Sequence, residues 1–190
     1  LSTEEFARLG AVLDRVQLLD TENFYITAAI RLLLLTGARV GEIITLQWRH
    51  VDLERHLLLL PDSKTGQKVI RLNARAAAIL REIPRMPDNP HVIIGRRPGA
   101  CLVNLQKPWR RIRAEADLCD VRLHDLRHSF ASVAAASRGS LPMIGKLLGH
   151  SHTRTTARYA HLSDDPVDGL NNSVGERIAA AIGMVSDRKE

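Results

Sequence analysis

Between Asn23 and Gly37 the chain reads "NFYITAAIRLLLLTG". From Asn23 to Leu35 this segment has the composition of a helix and is apolar nearly all round, with Arg31 its one charge. A helix without a polar face has to be buried, so the rest of the chain must pack around it. It ends at Thr36-Gly37, where glycine suits a helix C-cap. The run is far too short, and too close to charge, to span a membrane. With 190 residues, the chain has room for one domain of ordinary size or a domain with a subdomain. Aromatic residues make up only 4% of it, so the core must come from Leu, Ile, Val and Ala, a mixture that favours helices.

The flanking segments agree. Ser2 with Glu5 forms a capping-box pattern ahead of Phe6, Leu9, Val12, Leu13 and Val16, which recur at helical spacing. A short helix is expected over Val40 to Leu46, and further helices from Asn73, over Asn104 to Ala116, Leu123 to Ala136, Leu141 to Leu148, Thr153 to Tyr159 and Val174 to Ile182. Ser140 followed by Pro142 suits a helix start. Between Trp48 and Leu72 the period changes: "HLLLLPDSKTGQKVIRL" reads as two strands around a turn, with Trp48 to Val51 as a third, edge strand. The proline-rich stretch from Ile83 to Ala100 is a loop with a short strand at Val92 to Ile94. The fold class expected is α+β, predominantly helical, with one small three-stranded antiparallel sheet.

The net charge is +6, and the arginines cluster, as in "WRRIRAEA" and "RTTARYAH". That distribution points to nucleic acid as a partner. Cys101 and Cys119 are too few for a disulfide framework and read as reduced thiols of a cytoplasmic protein. Their spacing from the histidines offers no zinc site.

Four stretches carry reactive side chains. "TGARVGEI" sets Arg39 three residues before Glu42; "SKTG" sets Lys64 at a hairpin tip; "HDLRHS" sets His124 and Arg127 one helical turn apart; "LGHSHTRTTARYAH" supplies His150 and Tyr159. Singly, each has an ordinary structural reading: a local ion pair, a solvated lysine, a polar helix face, a helix-end cation. Together they make a coherent site for breaking a phosphodiester. A phenol attacks phosphorus in line. Forked guanidinium groups, Arg39 and Arg127, suit the charge that builds on the non-bridging oxygens. Lys64 suits protonation of the leaving oxygen, and His124 and His150 hydrogen bonding to the phosphate or handling of the phenol proton. Glu42 would orient its neighbours. No metal is called for, since the cations supply the compensating charge.

The ordered set resembles the catalytic domain of tyrosine recombinases, the phage integrase family. Arg39 in a TG-x-R segment, hairpin Lys64, the His124–Arg127 pair, His150 after Leu-Gly and Tyr159 nine residues later match its pattern, and Glu42 matches its acidic position. The resemblance implies site-specific recombination through a 3′-phosphotyrosyl link formed by Tyr159, attack by the 5′-hydroxyl of a partner duplex, and passage through a Holliday junction. Double-stranded DNA and a homotetramer are the implied partners, and no ATP or other cofactor is needed. It implies a bacterial or phage-encoded, nucleoid-associated protein of which residues 1–190 are the C-terminal catalytic domain, with N-terminal core-binding and arm-binding domains absent from this chain. His128 is a structural or phosphate neighbour. Arg154, Arg158, Arg110 and Arg111, with Arg113, either face DNA or form solvated surfaces, and Tyr25 is packed rather than reactive. Two other readings stay open: a type IB topoisomerase, which rejoins the same strand, and a DNA-binding regulator without catalysis.

Overall fold

The computed structural model describes residues 1–63, 66–137 and 140–149. The order of elements is α1 (Thr3–Leu18), α2 (Phe24–Thr36), α3 (Val40–Ile44), β1 (Val51–Asp52), β2 (Leu57–Ser63), β3 (Gly66–Arg71), α4 (Ala74–Glu82), α5 (Gln106–Glu115), α6 (Leu123–Ala136) and α7 (Leu141–Leu148). The expected helices at Thr153 to Tyr159 and Val174 to Ile182 lie outside the described residues.

Local chemistry sets the helix ends. The Glu5 N–H donates to Ser2 Oγ and the Ser2 N–H to Glu5 Oε2, at 3.2 and 2.6 Å, closing the expected capping box. Asn23 caps α2 by accepting from the Tyr25 N–H at 2.9 Å. Gly37 ends that helix at φ 61°, in the left-handed region. A side chain there would be doubly opposed, because a Cβ would also fall 2.5 Å from Phe130 Cδ1.

As its composition demands, α2 is the central element, packed against α1, α3, α4 and α6. Ala28, Ala29, Ile30, Leu32 and Leu33 are buried within a core that takes in Leu9 and Leu13 of α1, Ile43, Leu58, Ile70, Leu80 and Trp109. Each fully buried Leu or Ile contributes about 1.5–3 kcal/mol. A second, small cluster of Ala131, Ala135, Ile144 and Leu148 joins α6 to α7. Tyr25 stacks edge-on against Phe24 and packs on the main core, as expected.

The sheet is antiparallel in the order β1-β2-β3. Leu58 faces Ile70 and Leu60 faces Lys68, and the register shifts between Leu60 and Ser63. Pro61 falls in that interval and has no N–H to give to a ladder. Two strand expectations are corrected. Trp48–His50 form a 3₁₀ turn, and only Val51 and Asp52 pair with β2. The reason is that the Trp48 N–H donates to the Pro90 carbonyl at 2.9 Å, and Gln47 bridges His91. Val92 to Ile94 form no strand either. The Val92 N–H donates to Leu46 and the Ile93 carbonyl accepts from Leu102, so the bonds divide between two partners, although Val92 and Ile93 are fully buried. No helix among the described residues is long and apolar enough to cross a membrane.

Candidate active site

The site grows from the ends of three helices and one strand. Arg39 is the N-cap of α3, and the Glu42 carboxylate reaches back to accept from it. The Arg39 N–H donates to Glu42 Oε2 at 2.8 Å and Nη1 donates to Glu42 Oε1 at 2.9 Å. The Arg39 side chain is half exposed, whereas Glu42 is 15% exposed. Beneath the carboxylate lies Lys68 of β3, whose Nζ donates to both Glu42 oxygens at 2.7 Å.

Burial works against charge on Glu42, but hydrogen bonds from Lys68 and the Arg39 N–H, and the Lys68 charge, hold it below the ordinary carboxylate range. For Lys68, burial and the nearby Arg127 and Arg39 charges act downward, while the Glu42 hydrogen bond and charge act to keep the ammonium. The balance leaves the Lys68 pKa below the ordinary lysine value, and Glu42 supplies the anion that a buried ammonium needs.

Arg127, on α6, is 4% exposed. Its Nη1 donates to the Gly37 carbonyl, and its Nη2 to the Leu148 carbonyl at 2.8 Å. Both acceptors belong to helix C-termini, where carbonyls lack intrahelical partners and carry partial negative charge. Leu148 is followed by Gly149, the C-cap of α7 at φ 62°. A Cβ on Gly149 would sit 2.2 Å from Lys68 Cε, so the lysine stem lies directly against that cap.

These contacts close on themselves. Arg39 binds Glu42, Glu42 binds Lys68, Lys68 packs on Gly149, the adjoining Leu148 accepts from Arg127, and Arg127 reaches Gly37, two residues before Arg39. His124 is exposed on the first turn of α6 and meets the half-buried His128 edge-on, with ring centroids 4.8 Å apart. Among the described residues no group of His, Cys, Asp and Glu is arranged to hold a metal ion.

Residues 1–165 match the model of the Phage integrase family. The chain belongs to this family. Over 133 residues it is 35% identical to the tyrosine recombinase XerC of Xanthomonas axonopodis pv. citri (strain 306), an alignment covering 67% of this chain and 43% of that protein. The chain thus spans less than half the length of this curated relative. Among solved structures, the XerH site-specific recombinase bound to difH substrate in a pre-cleavage complex superposes with a TM-score of 0.70 at 23% identity, covering 84% of this chain and 49% of that one. The catalytic domain of bacteriophage HP1 integrase superposes with a TM-score of 0.67 at 20% identity, covering all of this chain and 98% of that one. The predominantly helical fold with one small antiparallel sheet is therefore that of phage-integrase catalytic domains.

Of the residues singled out from sequence, the fold brings Arg39, Glu42 and Arg127 into the closed circuit and puts His124 and His128 on the helix that carries Arg127. Lys64, His150, Tyr159, Arg154 and Arg158 lie outside the described residues. Arg110 is exposed on α5, but its neighbours have partners inside the protein. Arg111 Nη2 pairs with the buried Glu22, and Arg113 Nη1 donates to the Val121 carbonyl at 2.7 Å. Lys68 was not anticipated. Its signal was strand alternation: it shares the inward face with Ile70, while Val69 between them is exposed, and a cation on an inward strand position requires an anion.

Proposed function

We propose that this chain is the catalytic part of a site-specific DNA recombinase that cuts and rejoins strands through a tyrosyl–phosphate link. One observation carries the reading: Arg39 and Arg127, far apart in sequence, are tied into one circuit that includes the end of α7, from which the chain runs directly into His150. Family membership and the exposed basic side chains support it, as does a net charge of +6, which suits a phosphate-rich partner.

In this reading the Tyr159 phenol oxygen attacks phosphorus in line, forming the 3′-phosphotyrosyl bond as the bond to the 5′-oxygen breaks, and the phenol proton passes to His124 or His150. Lys64 gives its proton to that leaving oxygen. Arg39 and Arg127 hold the non-bridging oxygens with His124 and His150, offsetting charge as it develops. The phosphotyrosyl bond keeps the energy of the broken linkage, so the 5′-hydroxyl of a partner duplex can reverse the step without a cofactor. Two such rounds pass through a Holliday junction within a homotetramer on double-stranded DNA. Residues 1–190 form a single catalytic domain, and the core-binding and arm-binding functions belong to other segments of a longer protein.

The test is an adduct assay with the full-length protein and nicked suicide duplexes from the ends of the element that encodes it. A covalent protein–DNA species on a denaturing gel that is lost in Tyr159→Phe supports the reading. Sequence-specific binding without any adduct would overturn it in favour of a regulator. Adducts without strand transfer to a partner duplex would favour a topoisomerase.

A further inference from the structure

The reaction outlined above gives no part to Lys68, yet the fold goes to some length to accommodate it. The side chain is buried, its ammonium donates to both oxygens of one carboxylate, and its stem runs against a glycine that leaves no room for a Cβ. Glu42 in turn holds Arg39 through main chain and side chain. An ion pair between residues three apart at a surface is weak and would hold a long guanidinium loosely. A carboxylate gripped from beneath by a buried ammonium is a fixed acceptor.

We propose that Lys68 is a positioning residue for strand cleavage: by gripping both Glu42 oxygens and packing on Gly149, it fixes the Arg39 guanidinium relative to the segment that leads into His150. This rests on the reading of Arg39 as a ligand of the scissile phosphate. Lys68 turns its ammonium to Glu42 and acts through Arg39, with no contact to DNA. Without it, Glu42 would be left buried beside no ammonium and would either take up a proton or turn outward. Either way Arg39 loses its anchor, and in a phosphoryl-transfer site a displacement of about 1 Å can cost about 100-fold in rate.

The experiment is a double-mutant cycle in the full-length protein, with wild type, Lys68→Met, Arg39→Ala and the double variant. It reads single-turnover cleavage of a suicide duplex alongside DNA Kd. Lys68→Met is expected to slow cleavage by on the order of 10- to 100-fold while Kd stays within about twofold. In the Arg39→Ala background the same substitution should cost no more than about threefold, because the group it acts through is already gone. General damage to the fold would instead multiply the two losses. Cleavage by Lys68→Met at the wild-type rate, or losses that multiply, would overturn the inference. Should Lys68→Met not fold, Lys68→Arg keeps the charge but moves the donors, and the same cycle is read in the same way. Failure of the wild type to form an adduct would remove the recombinase reading itself, whereas equal adduct formation by wild type and Lys68→Met removes only the role of Lys68.

Discussion

Arg127 donates from Nη2 to the main-chain carbonyl of Leu148 at 2.8 Å, across 21 positions of sequence. The arginine expected to bind phosphate is thus also the group that closes the C-terminus of α7, and through Gly37 that of α2. Its twin in the proposed chemistry, Arg39, is half exposed and closes no helix end with its side chain.

That contrast separates the two arginines experimentally. Arg39→Ala should slow cleavage by on the order of two decades and change stability by no more than about 0.5 kcal/mol. Arg127→Ala should slow cleavage at least as much and also destabilise, since removing a buried donor costs about 1–3 kcal/mol for each acceptor left unpaired. Urea unfolding beside suicide-substrate cleavage reads both. Equal stabilities for the two variants would contradict the capping role of Arg127.

Gly149→Ala joins two penalties. A residue with a Cβ at φ 62° is strained by about 1–2 kcal/mol, and the added methyl would press Lys68 Cε away from Glu42. The variant should lose stability by about that amount and cleave more slowly than an equally destabilised core variant such as Leu80→Ala. Matching rates in the two would show that the Lys68 stem is free to move.

Acid should find Glu42. Burial opposes its ionisation, but the Lys68 and Arg39 hydrogen bonds and the Lys68 charge more than offset it, so its folded pKa lies below the ordinary value of 4.5. A carboxyl depressed in the folded state stabilises the protein above its unfolded pKa and loses that contribution as pH falls through the folded one. The stability difference between wild type and Glu42→Gln should therefore be constant near neutrality and shrink as pH drops below 4.5. Urea unfolding at several pH values measures it, and a difference that stays level down to the acid transition would argue against an ionised Glu42.

On α5, Arg110 and Arg111 should part company. Arg111→Ala uncovers the buried Glu22 and should cost about 1–3 kcal/mol of stability. Arg110→Ala should leave stability unchanged and weaken DNA binding, lowering the salt dependence by about one counterion if that side chain meets a phosphate. Binding titrations over a salt series, with thermal unfolding, distinguish the two; an unchanged slope would take Arg110 off the DNA surface.

What the sequence revealed depended on how local the determinant was. Helices α6 and α7 run over Leu123–Ala136 and Leu141–Leu148, as periodicity and the Ser140-Pro142 start indicated, because those signals lie within a turn or two of the residues they govern. The segment at Trp48 was misread because its hydrogen bonds go to Pro90, a partner that no neighbouring residue announces. The pairing of Arg111 was not legible for the same reason: Glu22 lies 89 positions away. In the site, Arg39, Glu42 and Arg127 were legible as a motif. The double duty of Arg127 was not, because it needs two helix ends brought together. Lys68 is legible from alternation along β3, but its partner Glu42, 26 positions away, is not.

Glu42 also limits what can stand in its place. A carboxylate offers about four lone-pair positions, and the surroundings meet them with four donor contacts, two from Lys68 Nζ and one each from the Arg39 N–H and Nη1. A glutamine of the same shape would turn two hydrogens of its own towards groups that have only hydrogens to give. The position is selective by valence as well as by charge: every neighbour speaks as a donor, and only a side chain with nothing to donate can answer all of them.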